Sequence, residues 1–204
     1  ISAHGNSLRA LCKYQFKISD QKINELAYEC EKAAHGTPSG VDNTVATFGS
    51  PLFYKNNKGQ PMFEEINLGQ PIELVVGITG MESLTAETVT KVRQAWTQSP
   101  ERYESLFNQI EQLTLSGLDC LKTGKVEELG ELMNICHGYL NALQLSTPEL
   151  EELVHIARSH GALGAKLTGG GGGGSMIALC QDNKDAIEAA MNKAGYKTLP
   201  YSIS

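Results

Sequence analysis

The sequence has little of what nucleic-acid-binding and membrane-inserted proteins need. Its 17 lysines and arginines are outnumbered by 23 aspartates and glutamates, which gives a formal net charge of −6. No basic stripe stands out that would attract a phosphate backbone. A run of about 18 apolar residues, which a membrane-spanning helix needs, is also absent from the sequence. We therefore expect neither nucleic acid nor a membrane among the partners of this chain.

The cysteines are few and lack the paired spacing of a zinc site or a redox motif. There are five, an odd number, and no two of them form a Cys-x-x-Cys pair. Four lie in segments with apolar periodicity, so we expect buried free thiols. Free thiols fit a reducing compartment, and the cytoplasm is the expected location. The cysteines are Cys12, Cys30, Cys120, Cys136 and Cys180.

The chain begins at Ile1, without Met, close to a segment that reads as a short helix over residues 7–16. A second helix is predicted over residues 20–34, where Ser19 and Asp20 are capping candidates. A polar loop, His35–Asn43, follows it. Because a natural N-terminus is seldom placed inside a helical pattern, we expect that a segment precedes Ile1.

The rest of the first part favours β-structure, and the second part mixes strands and helices. Residues 44–48 are strand-like, and residues 52–55 and 62–68 predict a hairpin around an Asn-Asn-Lys-Gly turn. Gly69-Gln70-Pro71 marks a boundary between two domains, 1–70 and 71–204. Beyond it we predict strands over 72–79, 164–168, 175–180 and 197–203, and helices over 85–97, 101–122, 126–141, 148–160 and 184–194. This order predicts an α+β fold with a ferredoxin-like second domain that carries extra helices. Trp96 is expected in its core.

The first motif of interest is His-Gly-Thr-Pro-Ser-Gly-Val-Asp-Asn, residues 35–43. A loop pinned by proline and glycine after a helix would hold the carboxylate of Asp42 at a fixed point. A carboxylate there can take a proton from a substrate hydroxyl or orient it. The alternative is an Asx-turn, in which Asp42 caps backbone N–H groups near Gly40.

The second motif is Lys-Leu-Thr followed by six glycines, residues 166–174. Successive glycines allow positive φ and let backbone N–H groups approach a bound phosphate closely. A flexible linker and a dinucleotide-binding G-x-G-x-x-G loop are the alternatives. Strand patterns at both ends favour a tight turn that faces a ligand. A fixed carboxylate and an anion cradle together suggest phosphoryl transfer to a hydroxyl.

The two motifs resemble signature motifs of the GHMP small-molecule kinases, most closely those of the mevalonate kinases. The resemblance implies a two-lobed α+β GHMP-kinase-like fold with a ferredoxin-like C-terminal domain and, here, a partial N-terminal lobe. It also implies ATP-dependent phosphorylation of the primary hydroxyl of mevalonate or a related small alcohol, with ATP and Mg²⁺ as cofactors. Family members often form homodimers, so a homodimer is an open expectation.

The resemblance also assigns roles to residues. Asp42 would be the base that faces the acceptor hydroxyl, and Glu31, eleven residues earlier, would be a Mg²⁺ ligand. For Glu31, a surface ion pair with a lysine is the alternative. Ser83 and Thr85 would lie near the substrate, and His35 would hold the loop beside it. The phosphate-binding region would comprise Thr168, Gly169, Gly170, Gly171, Gly172, Gly173, Gly174 and Ser175.

The sequence departs from the family pattern at several places. The family usually has an alanine and often a cysteine where Gly170 and Ser175 stand here. Ala86 replaces a lysine that is common in the family, and Glu82 adds a negative charge, which should weaken anion binding nearby. The family loop Pro-x-x-x-Gly-Leu-Gly-Ser-Ser is not among these 204 residues. Another GHMP kinase acting on a related alcohol, and a catalytically inactive remnant, are therefore kept as alternatives.

Overall fold

The computed structural model describes residues 11–35, 39–57, 60–82 and 85–204. The chain divides into two compact units, Ile1–Asn67 and Leu68–Ser204. None of the helices in the described ranges is long and apolar enough to cross a membrane. The prediction that residues 1–70 and 71–204 are the N-terminal and C-terminal domains of a kinase stays a prediction.

The first unit contains helices and one hairpin. A π-helical turn, Leu11–Gln15, precedes helix α1, Asp20–His35. A short helix α2, Val41–Phe48, leads into strands β1, Leu52–Asn57, and β2, Gln60–Glu65, which pair antiparallel. Helix α1 and the hairpin are confirmed. Of the helix predicted over residues 7–16, residues 7–10 lie outside the described residues.

The prediction of a strand over residues 44–48 is wrong, because this segment belongs to helix α2. Its threonines and valine are residue types that favour strands. The glycines on either side, however, have the conformation that is common at helix ends. Gly40 and Gly49 flank it with φ of 85° and 70°, and the Gly49 N–H donates to the Val45 carbonyl. Buried Thr44 and Thr47 lie on one helical face. Asp42 consequently lies in the first turn of a helix and not in a loop.

The second unit is built on a four-stranded antiparallel sheet. Its strands are β3, Ile72–Ile78, β4, Gly164–Thr168, β5, Ser175–Cys180, and β6, Lys197–Ile203, in the spatial order β4-β5-β3-β6. One group of helices separates β3 from β4, and one helix separates β5 from β6. This is the order of a ferredoxin-like fold with additional helices, so the predicted fold class is confirmed.

The helices of the second unit agree with their predicted positions. They are α3, Thr85–Gln98, α4, Pro100–Thr123, α5, Val126–Ala142, α6, Pro148–Ser159, and α7, Lys184–Lys193. Helix α6 begins as its sequence predicts, with Pro148 in the first turn and the Thr147 side chain accepting the Leu150 N–H.

Hydrophobic packing covers both faces of the sheet. Val75 and Leu167 point to the face covered by Leu153 of α6 and Met191 of α7, where all four are fully buried. On the other face, a smaller cluster is formed by Ile72, Val126, Met133 and Leu179. Because side chains alternate between the two faces along each strand, both faces of the sheet are packed. Strand β4, which leads into the glycines, is therefore part of a well-packed sheet.

The cysteines with described side chains are free thiols, as predicted. Cys120 and Cys180 are buried, and burial raises the pKa of Cys180 to about 11. Cys136 is half-buried, but Cys30 is exposed, so the expectation of burial is wrong for it. Helix α1 buries Ile23 and leaves Leu26 exposed, which shows that its packed face is narrower than the apolar pattern indicates.

Candidate functional site

The carboxylate of Asp42 is exposed in the first turn of α2. The N-terminus of a helix favours negative charge, because its first N–H groups point outward. Ser39 Oγ accepts the Val41 N–H at 3.3 Å, so the serine side chain partners the first backbone N–H of the helix. Asp42 is therefore displayed to solvent at a helix terminus.

The residues just before Asp42 lie close to two tyrosines. Tyr54 Oη, from β1, donates to the Ser39 carbonyl at 2.5 Å. A Cβ at Gly40 would lie 2.8 Å from Tyr54 Oη and 3.4 Å from the Tyr28 ring. Glycine is therefore required at this position both by its φ of 85° and by the close approach of these rings. The start of α2 therefore has no space for a side chain at this position.

Glu31 lies on α1 with its side chain half-buried. It follows Asn24 and Tyr28 at seven-residue and three-residue spacing, which places the three side chains on one face of the helix. Within the described ranges, no group of three or more histidine, cysteine, aspartate or glutamate side chains could hold a metal ion. Mg²⁺ commonly takes only one or two protein carboxylates together with waters and phosphates, so a carboxylate such as Glu31 fits this cation.

The glycine run forms a tight connection between β4 and β5. The two strands pair up to Thr168 and Ser175, directly before and after the six glycines. Gly169, Gly171, Gly172, Gly173 and Gly174 all have positive φ. A strand follows the glycines where a dinucleotide-binding motif would have a helix, so that alternative is wrong. The linker alternative is wrong as well.

Two backbone N–H groups of the glycine run donate hydrogen bonds to other segments of the protein. The Gly172 N–H donates to the Leu145 carbonyl at 2.8 Å, and the Gly174 N–H donates to the Met81 carbonyl at 3.0 Å. Thr79 Oγ1 donates to the Gly174 carbonyl at 2.9 Å. The expectation that the whole run supplies free N–H groups is therefore wrong for these two glycines, because they tie the loop to neighbouring segments.

Substituting Gly171 with alanine is expected to destabilise the second unit. Gly171 has a φ of 74°, and a Cβ there would lie 2.8 Å from Leu145 Cβ and still closer to the Leu145 carbonyl oxygen. Gly169→Ala is the matched control, because Gly169 has a φ of 73° with nothing within 4 Å of its Cβ position. We expect Gly171→Ala to lower the free energy of unfolding by about 1–2 kcal/mol more than Gly169→Ala. Equal losses in urea titrations would contradict this packing.

An apolar cavity of about 350 Å³ borders the glycine loop. Val92 and Trp96 of α3, Leu145 and the backbone of Gly169 and Gly170 contribute to its lining. Trp96 is 40% exposed, so its prediction as a core residue is wrong. The pattern of an amphipathic helix identifies its apolar face, but it does not show whether another element covers that face.

The remaining predicted substrate residues lie at the edges of what the structure describes. Thr85 is the first residue of α3 and His35 is the last of α1. Their side chains, and all of Ser83, lie outside the described residues. Glu82 is exposed, and its backbone carbonyl lies 3.2 Å from the Cβ position of Gly173. The added charge of Glu82 therefore sits in the segment that contacts the glycine loop.

Sequence reasoning did not find the side chains that hold the outer edge of β4. His137 is buried, and its Nδ1 accepts the Leu167 N–H at 3.3 Å. Its Nε2 therefore donates to Glu151 Oε1, at 3.0 Å. Asn134 Oδ1 accepts the Ala165 N–H at 3.0 Å, and Arg158 Nη2 donates to the Ala165 carbonyl at 2.8 Å. The contacts of His137 and Asn134 with β4 join positions about 30 residues apart, for which a single sequence offers no local signal.

The His137 contacts predict a loss of stability at acidic pH. Burial lowers the pKa of His137 although Glu151 opposes the shift. The unfolded chain therefore takes up this proton first, below about pH 6.5. The stabilising contribution is present above that pH and is lost as the pH falls towards the folded-state pKa.

We expect the urea midpoint of unfolding to fall between about pH 7 and pH 5, and to fall less in His137→Gln. His155→Gln, which removes an exposed histidine from α6, is the matched control. A pH dependence that is the same in His137→Gln and in the unsubstituted chain would contradict this role for His137.

The comparisons with known proteins agree with this architecture. Residues 118–197 match the family described as GHMP kinases C terminal. This match covers the C-terminal end of α4 and all of α5, α6, β4, the glycine loop, β5 and α7. Residues 118–197 are therefore similar to a GHMP kinase C-terminal domain, and the α+β architecture agrees with the fold of these kinases.

Several relatives and solved structures that resemble the chain over most of its length are mevalonate kinases. The chain is 40% identical over 186 residues to the mevalonate kinase of Pyrococcus horikoshii, which covers 88% of this chain and 53% of the relative. It is 35% identical over 196 residues to that of Thermococcus sibiricus, which covers 94% and 57%. The chain thus spans about half the length of the curated relatives it matches.

A crystal structure of L. major mevalonate kinase in complex with R-mevalonate matches with a TM-score of 0.87 at 34% identity, over 94% of this chain and 60% of the other. The mevalonate kinase of Methanococcus jannaschii matches with a TM-score of 0.79 at 28% identity, over 98% and 61%. Both matches extend over nearly all of the present sequence.

Proposed function

We propose that this chain belongs to an enzyme that transfers the γ-phosphoryl group of ATP to the primary hydroxyl of mevalonate. The observation that carries the proposal is the likeness to a structure with bound R-mevalonate over 94% of this chain at 34% identity. The exposed carboxylate of Asp42 adds chemical support, since it lies within the motif by which the chain resembles these kinases.

Asp42 has the proposed role of the base that accepts the proton of the acceptor hydroxyl. Phosphoryl transfer depends mostly on positioning and on neutralising charge, and a base contributes to the attack of the hydroxyl. The hydrogen bond from Tyr54 to Ser39 and the close approach of Tyr28 to Gly40 favour this role, because a base must stay within hydrogen-bond reach of its proton. Thr85, His35 and Ser83 are proposed to lie near the acceptor.

Glu31 and the glycine loop are proposed to serve the cofactors ATP and Mg²⁺. Bound Mg²⁺ would neutralise phosphate charge, and Glu31 supplies the hard oxygen that this cation prefers. In the loop, Thr168–Ser175, the engaged amides of Gly172 and Gly174 fix the backbone, so that the rest of the loop keeps its shape beside a phosphate. A cytoplasmic location and a homodimer also belong to this proposal.

Galactose and phosphomevalonate are alternative acceptors to mevalonate. Structures at 21% and 17% identity, a Lactococcus lactis galactokinase with galactose and a Streptococcus pneumoniae phosphomevalonate kinase, share the fold alone. Glu82 disfavours an acceptor that carries a phosphate in addition to a carboxylate, because its negative charge would oppose the more highly charged phosphorylated alcohol.

The test is coupled ADP release by the natural full-length protein that contains these residues. ATP and Mg²⁺ are supplied with mevalonate, phosphomevalonate or galactose, and a reaction without acceptor measures ATP hydrolysis. We expect mevalonate to give the highest kcat/KM. A higher value for another acceptor would replace the proposed substrate, and no acceptor-dependent ADP release would favour the inactive remnant.

A further inference from the structure

The start of α2 is tied to α1 by a short chain of side-chain hydrogen bonds. Asn43 Nδ2 donates to Asn24 Oδ1 at 2.6 Å and to the Asn24 carbonyl at 3.4 Å. Asn24 Nδ2 donates to Thr44 Oγ1 at 3.3 Å. The Thr44 hydroxyl in turn donates to the Gly40 carbonyl at 2.6 Å. One asparagine on α1 therefore reaches both residues that directly follow Asp42 and, through Thr44, the residue two before it.

Asn43 and Thr44 are buried and Asn24 is half-buried, although Asp42 itself is exposed. Asn43 is 7% exposed and Thr44 is 1% exposed. Hydrogen bonds in such surroundings are stronger than in water, and a buried amide without a partner is costly. Among the described residues, Asn43 Oδ1 is buried without a partner, so the hydrogen bonds of the Asn43 side chain are those that its Nδ2 donates to Asn24. The bonds therefore fix the backbone on both sides of Asp42 while leaving its carboxylate in solvent.

The side chain of Asn24 suits this position because it offers an acceptor and a donor at the same time. Its oxygen accepts from Asn43 and its nitrogen donates to Thr44. Asn24 and Glu31 are also on one face of α1, two helical turns apart. The helix thus links the placement of the proposed metal ligand to the placement of the proposed base.

We infer that Asn24 is a positioning residue for Asp42, acting through Asn43 and Thr44 without touching substrate. The inference rests on the proposed function, because it assigns Asn24 a part in the same phosphoryl transfer. Misplacing a reacting group by about 1 Å can cost about 10²-fold in rate. The loss should therefore fall on kcat and leave the binding of both substrates nearly unchanged.

The first test compares Asn24→Ala with the unsubstituted natural full-length protein. We expect kcat to fall about 10- to 100-fold, with KM for mevalonate and ATP changed by less than about twofold. Gln21→Ala, which removes an exposed amide from the same helix, should leave kcat unchanged. Thr44→Val should resemble Asn24→Ala because it removes the hydroxyl, whereas Thr44→Ser should restore most of kcat. An unchanged kcat in Asn24→Ala would overturn the inference.

The second test separates positioning from a general loss of structure. In an Asp42→Asn background, Asn24→Ala should lower the residual kcat no further, because the group that it positions is already removed. If Asn24 only stabilises the fold, the substitution lowers activity by the same factor in both backgrounds, and the inference is overturned.

A third readout remains informative if the proposed function fails. If no acceptor is phosphorylated, hydrogen exchange of the α2 backbone amides decides the positioning claim. Faster exchange in Asn24→Ala than in Gln21→Ala would support the claim that the hydrogen bonds of Asn24 fix the start of α2. Equal exchange in the two variants would overturn it, whatever reaction the protein catalyses.

Discussion

Replacing Asp42 with asparagine is expected to lower kcat for mevalonate phosphorylation by about 10²- to 10⁴-fold, the range for loss of a general base. The amide has nearly the same shape as the carboxylate but cannot accept the proton of the acceptor hydroxyl. Because Asp42 is exposed in the first turn of α2, the fold should tolerate the change. KM for ATP should be nearly unchanged. Steady-state kinetics of the natural full-length protein measure both values.

A second carboxylate provides the control for Asp42. Glu25→Gln removes an exposed charge from α1, where Glu25 pairs with Lys22. Surface pairs of this kind contribute little to stability, so kcat and the melting temperature should stay close to those of the unsubstituted protein. If Asp42→Asn retained kcat within about twofold, the role of Asp42 as base would be wrong.

Replacing Gly164 with alanine is expected to have the largest effect on stability. Helix α5 crosses strand β4 at Gly130 and Gly164, and both residues are buried. A Cβ at Gly164 would lie 2.6 Å from Gly130 Cα and still closer to the Gly130 carbonyl oxygen. Backbone cannot move aside as a flexible side chain can. We therefore expect the free energy of unfolding to fall by about 3 kcal/mol, the upper end of ordinary overpacking costs.

Another glycine of α5 serves as the control for this crossing. Gly138 is exposed, and a Cβ there would meet nothing within 4 Å. Alanine is a better helix former than glycine, so Gly138→Ala should be stabilising by about 0.5–1 kcal/mol. Urea titrations of both variants measure the difference. A Gly164→Ala variant as stable as the unsubstituted chain would show that α5 and β4 do not cross so closely.

The second unit follows closely from the sequence because its signals are local and agree with one another. Helix α6 has a capping threonine, a proline in its first turn and an apolar face that packs on the sheet. The prediction for residues 44–48 failed because residue preference pointed to a strand, whereas the flanking glycines and the buried threonine face define a helix. Here tertiary packing overrides propensity.

The candidate site was predicted only in part for a similar reason. The positions of Asp42 and the glycine run follow from their motifs, but their surroundings depend on distant residues. Neither the anchoring of Gly172 by Leu145 nor the support of β4 by His137 has a local signature. The same holds for Asn24, which contacts Asn43 and Thr44 about 20 residues further along. Motifs identify the reacting groups, whereas the contacts that orient them emerge only from the fold.

The most direct measurement of the central claim is phosphorus NMR of the product formed from ATP and mevalonate by the natural full-length protein. A phosphate on the primary hydroxyl is three bonds from the two protons of one methylene group, so its signal should be a proton-coupled triplet. The proposed function predicts this triplet, with formation of ADP, and its strong reduction in Asp42→Asn. A singlet would place the phosphate on the tertiary hydroxyl, and the absence of any new phosphoester signal would contradict phosphoryl transfer to mevalonate.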